Sequence, residues 1–180
     1  MVFAKLFRRA DPYEDVALRL YGVLVEKARD RVFYAQLAVP DTINGRFDML
    51  IIHAMLLLRR LRGAGVEAEK VGRATLELMF KDMDRSLRER GVGDMGIGRH
   101  IKKMGKAMFG RAEVYEAGLD GDDATLTAAL KENIYRQAQP DGAQLERILQ
   151  YMRRAADHLS KQDVADVMAG KIDFQVPVLE

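Results

Sequence analysis

The segment from Met49 to Leu58 constrains the fold of this chain more than any other. Its ten residues are apolar apart from His53 and the small Ala54, and Arg59, Arg60 and Arg62 follow directly. In a helix such a run is too short to cross a hydrocarbon layer that needs about 20 residues. A helix apolar on most sides must instead be surrounded by other elements. The pattern therefore predicts a central helix from about Arg46 to Arg62, with a basic last turn suited to the helix dipole and Gly63 as its stop. The 180 residues, 48% of them apolar and 31% charged, are enough to build the surround. A chain of this length buries about 70% of the surface its unfolded form exposes. It has no cysteine, which excludes disulfides, zinc-thiolate sites, iron-sulfur clusters and a cysteine nucleophile.

The punctuation around that segment is helical. Asp11-Pro12-Tyr13-Glu14 reads as a cap, a first-turn proline and a capping-box glutamate, opening a helix to about Arg29 with Leu18, Leu20, Leu24 and Val25 inward. A shorter helix over 30–37 leads into the turn-rich Val39 to Gly45, read as a hinge. From Glu67 to Arg90, Leu76, Phe80, Met83 and Leu87 recur at helical spacing, with Met79 beside them, and Gly91 ends the run in a left-handed cap. Further helices are expected from Ile97 to Leu119 with a kink at Gly110, from a cap at Asp122 or Asp123 to Tyr135, and through Leu145, Ile148, Leu149 and Met152 to His158. Ser160-Lys161-Gln162-Asp163 caps a last short helix ending at Gly170. The expectation is an all-α, single-domain bundle of about seven helices around a central apolar helix. A short N-terminal arm covers 1–10, the helical domain 11–170 and a tail 171–180. Residues Met1 to Arg9 carry no apolar core of a secretory signal.

Few residues suggest chemistry. Gly91-Val92-Gly93-Asp94-Met95-Gly96 has the glycine spacing of a dinucleotide loop, but it follows a helix where that loop needs a strand. His53, His100 and His158 lack the spacing that places two metal ligands on one helical face. His53 is expected as a hydrogen-bonded core histidine, with haem ligation as the competing reading. Asp82, Asp84, Glu89 and Asp94 are interleaved with Arg85, Arg88 and Arg90 at pairing distance along a helix, so mutual ion pairs, a solvated face or a docking surface account for them. Arg99, Lys102, Lys103 and Lys106 form one basic stripe, and Ile101, Met104 and Met108 an apolar one on another side. That stripe suits an anionic membrane surface or ribosomal RNA, or is a plain solvated face. No convergent acid, base and nucleophile is found, so no catalytic, cofactor-binding or metal residue is assigned and the chain is expected to act by binding.

Two blocks of residues carry a family resemblance. Phe33-Tyr34, Val39-Pro40-Asp41-Thr42, Gly45-Arg46-Phe47, His53 and Arg60-Leu61 make the first. The second comprises Asp82-Met83-Asp84-Arg85-Ser86-Leu87-Arg88-Glu89, Gly91-Val92-Gly93-Asp94, Lys102-Lys103-Met104 and Phe109-Gly110-Arg111. Together, over about Tyr13 to Tyr135, they resemble the ubiquinol-cytochrome c chaperone family, in its compact bacterial form. The resemblance implies an assembly factor for the respiratory cytochrome bc complex, complex III, acting on newly made cytochrome b, with no catalytic residues and no cofactor of its own. It implies a cytoplasmic location, peripheral at the inner face of the bacterial membrane, with that membrane or the ribosome as further partners. No specific DNA binding and no small-molecule substrate are expected. The residues expected to meet partners are Asp82, Asp84, Arg85, Arg88, Asp94, Arg99, Lys102, Lys103, Lys106 and Arg111.

Overall fold

A computed structural model describes residues 12–89, 91, 93–175 and 177. Among them the regular structure is entirely helical: α1 (Glu14–Ala28), α2 (Arg31–Ala35), α3 (Ile43–Leu61), α4 (Val66–Glu89), α5 (Asp94–Asp120), α6 (Asp123–Asn133), α7 (Gly142–Lys161) and α8 (Val164–Met168). As the apolar run requires, α3 is the hub. Every residue from Ile51 to Leu57 is buried, and the helix packs against α1, α4, α5 and α7. It begins at Ile43, earlier than the apolar pattern suggests, because Thr42 caps it by accepting from the Gly45 amide at 3.1 Å. The preceding turn closes tightly on that cap, and a side chain at Gly45 would collide with the Pro40 carbonyl oxygen.

The remaining caps decide the other boundaries. Asp122, Asp141 and Asp163 each accept from a first-turn amide, and Asp141 forms a full capping box with Gln144. Ser160 lies inside α7, so Asp163 alone caps α8. The expected box at Asp11 does not form as read. Asp11 lies outside the described residues, and α1 starts at Glu14 with Tyr13 in the cap position and no side-chain cap bond. The inward face of α1 is Ala17, Leu20, Leu24 and Ala28; Leu18 is 59% exposed, because it sits one residue out of that register. Helix α5 begins earlier than expected, at Asp94 behind Gly93, and continues through Gly110. The glycine-rich segment is thus a helix-to-helix turn, with Gly91 at φ +79° and Gly96 already within α5.

Residues beyond Gly170 are part of the core and not a tail. Phe174 is fully buried with its ring centroid 5.1 Å from that of His53, and Gln162 and Asp173 exchange side-chain and backbone hydrogen bonds that hold the segment down. His53 itself is the core histidine expected. Its Nδ1–H donates to the Met49 carbonyl at 2.7 Å and its Nε2 accepts from the Tyr151 hydroxyl at 2.6 Å, so both ring nitrogens are engaged. Burial holds its pKa down at about 4, keeping the ring neutral.

Candidate client-binding groove

One groove of about 260 Å³ opens where α1, α3, α4 and α5 meet. Helix α1 lends Tyr21, Val25, Ala28 and Arg29; α3 lends Ile43, Arg46, Phe47 and Leu50; α4 lends Asp82, Met83, Ser86 and Leu87; α5 lends Met104. Helical periodicity explains the mixture. Each helix turns its apolar stripe toward the core, and these residues lie at the edge of that stripe, where Leu50, Phe47, Leu87 and Met104 are only half-buried. Ile43 stands at the lip and is 65% exposed. The floor is therefore apolar and the rim polar, the combination that receives an apolar segment carrying flanking charge. Met83 and Met104 add side chains that repack around different occupants.

The rim is electrically organised. The Tyr21 hydroxyl donates to Asp82 at 2.8 Å, and Asp82 also pairs with Arg85. Burial together with that carboxylate raises the pKa of Tyr21, so the hydroxyl keeps its proton. Arg88 pairs with both Asp84, at 2.6 Å, and Asp94, joining the last turn of α4 to the first turn of α5. The four carboxylates and arginines are thus largely matched with one another, as their spacing predicts, and form an exposed ridge beside the groove. Opposite, Arg46 pairs with Asp41 at 2.7 Å and lies 5.9 Å from the Tyr34 ring centroid.

The sequence-based candidates fall into three places. Asp82, Asp84, Arg85, Arg88 and Asp94 make the ridge. Arg99, Lys102, Lys103 and Lys106 are all exposed on α5, away from the groove. Arg111 belongs to neither surface. It is 8% exposed and forms an ion pair with the buried Asp48, with Phe47 against its guanidinium. An ion pair with no room for a partner molecule positions helices; here it ties α5 to α3 directly behind the groove floor. Burial pushes the Asp48 carboxyl up to about 6, against the pull of Arg111 and Arg136. Among the described residues Asp48 Oδ1, Arg111 Nη1 and the Tyr115 hydroxyl make no aligned hydrogen bond, so the contact is one of charge on charge.

Sequence reasoning missed Asp48, Tyr21 and the groove as a unit. The available signal was Arg111 itself, which shares the apolar face of α5 with Met104, Met108 and Tyr115 and so needs a buried partner.

Comparison with known proteins gives the same outline. A family model described as "Ubiquinol-cytochrome C chaperone" matches residues 35–174. Ubiquinol-cytochrome c reductase complex assembly factor 1 of Mus musculus is 27% identical over 165 residues, covering 91% of this chain and 56% of that protein. The mitochondrial protein CBP3 of Saccharomyces cerevisiae is 23% identical over 151 residues, covering 82% of this chain and 45% of that one. The chain thus spans about half the length of these curated relatives. The crystal structure of the Cbp3 homolog from Brucella abortus superposes with a TM-score of 0.82 at 35% identity, over 95% of both chains. The match to the family model over most of its length establishes that the chain belongs to the ubiquinol-cytochrome c chaperone family.

Proposed function

We propose that this protein is an assembly factor for the respiratory cytochrome bc complex, complex III, and that its groove holds an apolar segment of newly made cytochrome b during maturation. One observation carries the reading: the two blocks that define the family resemblance are distant in sequence, yet both line this groove. Arg46 and Phe47 come from the first, and Asp82, Met83, Ser86, Leu87 and Met104 from the second. The names of the relatives, assembly factors of ubiquinol-cytochrome c reductase, support the same client complex.

The groove suits transient holding. Covering about 100 Å² of apolar client surface is worth about 2.5 kcal/mol, enough to delay aggregation and little enough to permit release. No chemical step is needed, since the lining supplies cover and charge, and Asp82 is already engaged by Tyr21 and Arg85. Among the described residues no helix is long and apolar enough to cross a membrane. The client is itself a membrane protein, so the site of action is the cytoplasmic side of the membrane, at its inner face. The ridge from Asp82 to Asp94 adds ionic contacts to the client's flanking charges, and Arg111 acts indirectly by fixing α5.

Deleting the gene in its host tests the function. Assembled complex III and spectral cytochrome b should fall severalfold while unrelated membrane complexes persist. Normal cytochrome b and normal ubiquinol oxidation in the deletion strain would contradict the assignment.

A further inference from the structure

We propose that the outward face of α5 docks the protein on an anionic phospholipid bilayer, with Arg99, Lys102, Lys103 and Lys106 meeting headgroup phosphates and Phe109 entering the interface beside them. The proposal extends the membrane-side location above to a named surface, and rests on that reading only for its purpose, because docking needs no client.

Geometry is the first argument. At 3.6 residues per turn the four cations fall along one side of α5, opposite the side that sends Ile97, Met104, Met108 and Tyr115 inward. All four are exposed, and among the described residues none forms an ion pair. The arginines nearby behave otherwise: Arg59, Arg62, Arg85, Arg88 and Arg111 each hold a carboxylate. Unmatched positive charge is therefore concentrated on this face. Helix stability gives no reason for it, since a helix dipole favours cations at the C-terminal end, and there α5 carries Glu116 and Asp120.

Apolar exposure on the same helix narrows the occupant. Phe109 is 60% exposed and Val114 is 40% exposed, one on each flank of the cationic line. An aromatic ring beside lysines fits the bilayer interface, where ring and methyl groups leave water while the ammonium groups stay at the phosphates. RNA would reward the cations and could stack on the phenylalanine, but offers nothing to the valine. The straight line of charge also matches a planar surface.

The test is flotation of the full chain with vesicles of phosphatidylcholine alone or with added phosphatidylglycerol. Binding should require the anionic lipid and fall steeply between about 50 mM and 500 mM salt, as the charges are screened. Each cation contributes about fivefold, so changing Arg99, Lys102, Lys103 and Lys106 together to Gln should cost on the order of a hundredfold in partition, with an unchanged melting temperature. The pair Lys102→Gln and Lys106→Gln should show part of that loss, which keeps the test valid if the fourfold variant folds poorly. Phe109→Ser should weaken binding severalfold and leave its salt dependence in place. Replacing Arg31, Arg73, Lys131 and Lys161, on other helices, with Gln should leave much more binding than the stripe variant. Equal binding to zwitterionic vesicles, retention of binding by the stripe variant, or an equal loss in the control set would overturn the proposal. So would a short RNA duplex that strips the protein from vesicles while Phe109→Ser binds them normally, which would assign the face to RNA.

Discussion

Tyr151 donates its hydroxyl proton to His53 Nε2 across 2.6 Å in the water-free centre of the bundle, tying α7 to α3. The bond fixes the tautomer, because Nδ1–H is committed to the Met49 carbonyl. It also makes His53 a neutral residue whose protonation opposes folding.

The pH dependence of stability follows with a definite sign. His53 has a folded pKa of about 4 against an ordinary 6.5, so between these values the unfolded chain binds more protons and stability falls as pH falls. Asp48, raised to about 6 from 3.8, does the reverse: its folded form holds the extra proton, and stability falls as pH rises through that window. Each amounts to about 3 kcal/mol, so between pH 4 and 6 the two slopes nearly cancel. Urea unfolding of His53→Asn should show its stability gaining on the wild type as pH is lowered from 6.5 to 4. Asp48→Asn should gain on the wild type as pH is raised from 4 to 6. Parallel curves for either variant and the wild type would contradict this assignment of charge states.

Two glycines of α5 should respond oppositely to alanine. A Cβ at Gly118 would lie 2.7 Å from the Leu126 Cα in α6, whereas one at Gly110 meets nothing within 4 Å. Gly118→Ala should cost about 1–3 kcal/mol through overpacking. Gly110→Ala should gain about 0.5–1 kcal/mol from the lower entropy of the unfolded chain. Thermal melts of the two variants moving in the same direction would refute the packing of α6 on α5.

Phe174→Ala should destabilise by about 3–5 kcal/mol, the usual cost of removing a buried phenyl ring, because Phe174 is fully buried against His53. A loss below about 1 kcal/mol in denaturant titration would return this segment to the status of a tail.

Much of this architecture is legible in the chain. The apolar run around His53 marks the hub, Gly91 and Asp122 mark helix ends, and the Asp82 to Asp94 charges pair as their helical spacing dictates. The missed features depend on distance in space. Thr42 as the cap of α3 lay hidden within a segment read as a hinge. Leu18 looks as apolar as Leu20, but only the register of α1 against its neighbours turns one outward. Phe174 follows a glycine stop and carries no periodic signal. The Asp48–Arg111 pair joins two helices far apart in sequence, so only the incongruity of an arginine on an apolar face points to it. The groove is harder still, since its residues come from four helices and none is unusual alone.

The ridge beside the groove should affect client binding and not membrane docking. Changing Asp82 and Asp84 to Asn and Arg88 to Gln removes exposed pairs, each worth less than about 1 kcal/mol to stability, so the fold should persist. Cytochrome b capture should drop severalfold while flotation with anionic vesicles is retained. Equal losses in both assays would show that ridge and stripe are one surface.

The central claim is that the groove formed by α1, α3, α4 and α5 holds cytochrome b, and affinity capture from detergent-solubilised host membranes measures it most directly. Ile43→Asp places a charge at the exposed lip, and Met104→Glu places one in the lining, where the native side chain is half-buried. The wild-type chain should enrich cytochrome b over other membrane proteins, and both variants should lose at least about tenfold of that enrichment, equivalent to about 1.4 kcal/mol, with Ile43→Asp melting as the wild type does. Wild-type levels of cytochrome b on a folded Ile43→Asp variant, or no enrichment by the wild-type chain, would contradict the account.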